Sequence, residues 1–224
     1  MTPVWMLESP PGELSEAAAR SCSRAWTARH ISLLPPEVPR WLFLQWLAEH
    51  GYLLHGSQHG GLTELVGAHK DYTQPDEFSN IIGVYAASDG LWAMMYALRG
   101  PGVARQNDMA LQVREGGQWS GMRYFMSVAP RTPGASQARE LLTPGFVYVL
   151  PRDGFIQSPP CEHGGLGYVQ EAHWVNRALV TPLLRIPVTP EDFPLPVRLH
   201  DAAQVDARAK ADPWGFPWLE VGRD

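Results

Sequence analysis

The chain has 224 residues and a formal charge of −5, with 45% apolar and 18% charged residues. That balance supplies a sizeable core and excludes global disorder, and the length suits one domain with terminal extensions. No run of Lys or Arg appears anywhere, which excludes a strong phosphate-driven grip on nucleic acid.

Two cysteines, Cys22 and Cys161, stand far apart in dissimilar contexts, so no disulfide framework is implied and a reducing compartment is the simpler reading. No stretch of roughly 18 apolar residues could span a bilayer, and the first residues lack a basic segment leading into an apolar one. The expectation is a soluble cytoplasmic protein with no membrane contact.

In chain order, Ser15-Glu16-Ala17-Ala18-Ala19-Arg20 opens an alanine-rich segment expected to run as a helix to about Ala28. After Pro35-Pro36, apolar residues at Val38, Trp41, Leu42 and Trp46 keep helical spacing up to a stop at Gly51. That helix delivers the chain into an apolar strand, Tyr52-Leu53-Leu54-His55-Gly56-Ser57. A long segment from Gln58 to Asn80 follows, rich in Gly, His, Asp and Thr, of a length that is usually functional or mobile. A second apolar strand, from Ile81 to Ser88, runs into a helical pattern from Asp89 to Arg99.

Downstream, Met109–Arg114 and Trp119–Val128 flank Glu115-Gly116-Gly117-Gln118, which predicts a hairpin. Strands are expected again at Gly145–Leu150 and Leu183–Val188. From Asp201 the composition shifts toward a surface helix and then a tail, Pro213-Trp214-Gly215-Phe216-Pro217-Trp218, which either docks on the body or meets a protein partner. Short strands after two helices predict an α+β protein with antiparallel sheets. The expected division is a helical extension over 1–50 packed on the core, an α+β domain over 51–200, and a tail over 201–224.

His55 and Ser57 lie two apart on a strand and so share a face, with Gly56 between them. Lacking a Cβ, Gly56 lets a ligand approach its backbone, while the histidine can bond a sugar hydroxyl. The alternative is a strand that merely ends in a polar turn. Tyr85 can stack on an aromatic ligand or serve only as core, and Ser88-Asp89 also reads as a helix N-cap. His55, His59, Cys161 and His163 are residue types that zinc uses, but His-x-x-x-His needs a helix and this one lies in strand and turn, so no metal is expected. Cys161, set between Pro-Pro and Gly-Gly, reads as a structural cysteine rather than a nucleophile.

The segments Tyr-Leu-Leu-His-Gly-Ser (52–57), Val-Tyr-Ala-Ala-Ser-Asp (84–89) and Gly-Phe-Val-Tyr-Val-Leu-Pro (145–151), with Val180–Pro194, resemble small uncharacterised bacterial proteins similar to ADP-ribosyltransferases of the His-Tyr-Glu type. The resemblance covers roughly residues 50 to 195 and implies split antiparallel sheets with NAD as co-substrate. It implies that His55 holds a ribose, that Gly56 and Ser88 hold the nicotinamide amide, that Tyr85 covers the ring, and that Ser57 belongs to the same cofactor-binding set. A late glutamate would steady the oxocarbenium-like charge as the bond from ribose to nicotinamide breaks. Here His173 stands where related sequences carry an acidic residue before the tryptophan, so the role falls on Glu171. The resemblance thus implies transfer of ADP-ribose to an acceptor or to water, or an inactive nucleotide-binding or interaction module on the same fold. An RNA 2′-phosphotransferase activity is disfavoured by the acidic balance.

Overall fold

The computed structural model describes residue 3, residues 5–67 and residues 76–219. The expected segment from Gln58 to Asn80 therefore lies partly outside the described residues. Strand β1, Leu7–Glu8, precedes helix α1, Glu16–Thr27, and helix α2, Arg40–Glu49. The Ser15 side chain accepts the Ala18 N–H and starts α1, and Gly51, at φ +85°, ends α2 in the left-handed conformation that glycine tolerates. Strands β2, Leu53–Ser57, and β3, Val84–Ala87, lead to helix α3, Gly90–Ala97. Asp89, not Ser88, caps α3, accepting the Trp92 N–H at 2.8 Å.

Next come β4, Val103–Glu115, the short β5, Gln118–Trp119, and β6, Arg123–Pro130. Both glycines of the turn between β4 and β5 have positive φ, as the hairpin reading requires. Its long partner strand begins only at Arg123, after a break that the alternation does not reveal. Then follow β7, Gly145–Leu150; β8, Ile156–Gln157; β9, Cys161–His163; β10, Gly167–Glu171; and β11, His173–Asn176. The chain closes with β12, Leu184–Val188, β13, Arg198–Leu199, and helix α4, Ala202–Ala211.

The molecule is mixed α+β, with two sheets that are antiparallel apart from the β13–β6 pair. One sheet runs β1-β6-β4-β10-β9, with β13 on β6 and β5 on β4; the other runs β12-β7-β2-β3-β11-β8. β10 and β11 are one extended segment that changes sheet at Ala172. There the Ala172 N–H bonds the Ala110 carbonyl of one sheet and its C=O accepts the Ser88 N–H beside the other.

Helices α1, α2 and α3 pack over one face of the second sheet and share its main core with Leu54, Ala87, Val147, Val149 and Ile186. On the other face Leu53, Val84, Ala86, Tyr148, Leu150 and Trp174 form a separate apolar layer. Leu53 and Leu54 are thus both buried, on opposite faces, as strand alternation demands. Burying each contributes on the order of 1.5–3 kcal/mol. The tail is docked. Phe216 meets Trp5 and Phe125 ring to ring at 5.9 and 5.4 Å, and Asn107 donates its side-chain amide to the Pro217 carbonyl at 3.0 Å. Among the described residues no helix is long and apolar enough to cross a membrane.

Candidate functional site

β2 and β3 begin as neighbours and then part: their one paired position is Leu54 with Ala87. Beyond it a mostly apolar cleft of about 440 Å³ opens between the strands. It is lined by His55, Gly56 and Ser57 from β2, by Tyr85 from β3, by Trp92 and Tyr96 from α3 and by His173 from β11. Its outer wall is the described start of the long segment after β2, which brings His59, Leu62 and Glu64 to the same space. That wall is pinned along β7, because the Tyr148 hydroxyl donates to the His59 carbonyl at 2.7 Å and accepts the Leu62 N–H at 3.1 Å.

His55 sits on the face of Leu53 and turns its ring across the gap. Its Nδ1 lies 2.7 Å from the Tyr85 carbonyl oxygen, which can only accept, so Nδ1 carries the proton and Nε2 keeps its lone pair. Burial lowers the imidazole pKa, and the bond to Tyr85 opposes that only in part. The result is a neutral, oriented histidine in the cleft, suited to accept a hydrogen bond from a hydroxyl.

The Tyr85 hydroxyl lies 2.9 Å from the Phe78 carbonyl and 2.7 Å from that of Ile81, which fixes its ring. That ring lies 4.9 Å from the His173 ring, which also meets Phe78 and Trp92 edge to face, each at 5.3 Å.

Three of the residues read from the sequence are placed differently from His55, Ser57 and Tyr85. Gly56 lines the cleft, but its missing side chain serves packing: a Cβ there would overlap the Ala93 carbonyl oxygen of α3. The Cβ direction is filled by helix, while the residue itself still borders the cleft. Ser88 is not among the residues lining the cleft; its N–H is engaged by Ala172 at the sheet change. Glu171 does not line the cleft either. The strand changes sheet one residue after it, which leaves Glu171 on the wall of a neighbouring polar hollow of about 310 Å³.

Trp92, Tyr96 and His173 border both spaces. The nearest link from Glu171 to the cleft is His173, whose Nδ1 lies 3.6 Å from Glu171 Oε2. Glu64 was missed in the sequence because nothing local ties a carboxylate of the long segment after β2 to the strand ends. The hollow's Asp108 was missed too, because it lies one residue before the strand expected from Met109 and nothing local marks it. It instead turns inward, accepting from Trp92 Nε1 at 2.5 Å and from the Gln106 amide at 2.8 Å, and burial raises its pKa. Among the described residues no group of His, Cys, Asp and Glu side chains is placed to hold a metal ion. Comparison of the chain with protein-family models, curated proteins and solved structures found no match.

Proposed function

We propose that the protein binds NAD or a related nucleotide in the cleft where β2 and β3 separate. The observation that carries this reading is the His55–Tyr85 bond, which presents a lone pair at Nε2 for a ribose hydroxyl beside the aromatic walls of Tyr85, Trp92 and Tyr96. The two segments that bear these residues are those whose sequence resembles the first two motifs of the ADP-ribosyltransferase fold, and sheets that split at this point suit that resemblance. Ser57 also lines the cleft.

The test is titration calorimetry of wild type and His55→Ala with NAD. Binding in the wild type that the variant loses by at least about tenfold supports the reading, since one bond to a histidine is worth roughly that factor. Absence of binding to wild type, or equal binding by the variant, overturns it.

A second reading, ADP-ribose transfer, is favoured by one observation: a carboxylate, that of Glu64, lines the cleft. A carboxylate near the departing nicotinamide would stabilise the positive charge on the sugar. Nicotinamide release by wild type and by Glu64→Gln distinguishes transfer from binding alone.

A further inference from the structure

Proteins hold phosphate groups with Lys and Arg side chains, with helix N-termini and with free backbone N–H groups. Among the described residues the lining of the cleft between β2 and β3 includes no Lys or Arg, and its one carboxylate is Glu64. His55 donates from Nδ1 to Tyr85, and burial lowers its pKa, so it brings no positive charge either.

The helix that borders the cleft is closed to anions as well. α3 carries Trp92, Ala93 and Tyr96 to the lining, but at its N-terminus the Trp92 N–H bonds Asp89 at 2.8 Å and the Gly90 N–H bonds the Gln45 side-chain oxygen at 3.1 Å. A carboxyl group of the chain thus takes the place an anion would occupy. Along the outer wall the N–H groups of His59, Leu62 and Leu65 are spent on the Ser57 hydroxyl, the Tyr148 hydroxyl and the Val180 carbonyl, at 3.1, 3.1 and 2.8 Å. What stays open is an apolar space with the rings of Tyr85, Trp92 and Tyr96, the Nε2 lone pair of His55 and the Ser57 hydroxyl. These are partners for a base ring and for sugar hydroxyls.

We propose that the cleft takes a nucleoside, a base with its ribose, and discriminates against the 5′-phosphorylated form. The proposal rests on the reading above for the ribose contact of His55, and narrows it: NAD enters by its nicotinamide riboside end, and its diphosphate gains nothing from the walls. A phosphate drawn into the cleft gives up water for an apolar lining and meets repulsion from Glu64.

The test is titration calorimetry of wild type and Glu64→Gln with nicotinamide riboside, nicotinamide mononucleotide and NAD at one pH and ionic strength. The riboside should bind wild type about tenfold more tightly than the mononucleotide and at least as tightly as NAD, and Glu64→Gln should narrow the first gap severalfold. Binding of the mononucleotide as tight as that of the riboside, tighter binding of NAD, or a gap that Glu64→Gln leaves intact would overturn the proposal while the nucleotide site stands. Failure of all three ligands to bind would instead remove the nucleotide reading, and this proposal with it.

Discussion

The Nδ1 of His55 donates across the gap between β2 and β3 to the carbonyl oxygen of Tyr85, 2.7 Å away, and this bond spans the cleft floor just where ladder pairing stops. The same bond fixes the tautomer. His55→Asn, whose side chain also carries a donor, should keep the fold but shorten the reach to a ligand hydroxyl. NAD affinity is expected to fall about tenfold with little change in melting temperature, read by calorimetry and by thermal denaturation.

Gly56 and Gly145 seat α3 on the sheet, since a Cβ at either would overlap a carbonyl oxygen of that helix, Ala93 for the first and Ala97 for the second. Gly56→Ala should therefore destabilise by about 1–3 kcal/mol or more, the range for forcing extra carbon into a packed interior. Urea denaturation checks this, and an unchanged midpoint would show that α3 can lift away freely.

Asp89 holds two buried partners at once, the Trp92 N–H at 2.8 Å and the Tyr124 hydroxyl at 2.7 Å. Burial raises its pKa against the effect of these bonds. Asp89→Ala leaves both donors without an acceptor and removes the cap of α3, an expected cost of about 2–4 kcal/mol. Asn at this position keeps the cap and should cost about half as much. Parallel urea melts of the two variants read the difference.

His200 is 9% exposed, and among the described residues neither ring nitrogen has a hydrogen-bond partner. Its pKa is lowered from 6.5 to about 4, by burial first and then by Arg105, with Asp206 and Asp201 opposing. A base whose pKa is depressed on folding binds fewer protons in the native state. Its contribution is therefore intact above pH 6.5 and is lost as pH falls toward about 4, with a slope of at most about 1.4 kcal/mol per pH unit. The raised carboxyls of Asp89 and Asp108 have the opposite sign, since their protonated forms are favoured by folding. The readout is accordingly the difference between wild type and His200→Gln in denaturant midpoint at pH 7.5 and pH 4.5. Wild type should lose more than the variant.

Much of the framework could be read from local signals. The helix that ends at Gly51, the strand through Leu53 and Leu54, the helix from Asp89 and the turn at Gly116-Gly117 each carry their own periodicity, cap or backbone demand. His55 and Ser57 share the cleft because alternation along a strand needs no tertiary knowledge. The late strands were harder, since Ile156–Gln157 and Cys161–His163 are too short to show a period. The placement of Glu171 was not legible at all: strand parity sets it on the same side as His173, but parity does not announce that the chain changes sheets between them. The packing role of Gly56 was hidden for a related reason. A glycine beside a histidine invites a ligand when viewed alone, and only the packed helix shows what occupies the space. The tail's docking depends on Trp5 and Phe125, which are distant in sequence and bear no pattern that pairs them with Phe216.

The passage from β10 to β11 uses a single residue, Ala172, as its joint, and this makes the two spaces unequal partners in any redesign. Residues up to 171 belong to one wall and residues from 173 to the other, so lengthening the joint by one position would rotate everything beyond it by half a strand period. His173 would then exchange sides with Trp174, placing an indole where the two spaces now meet at an imidazole. The joint itself fixes the phase of the molecule.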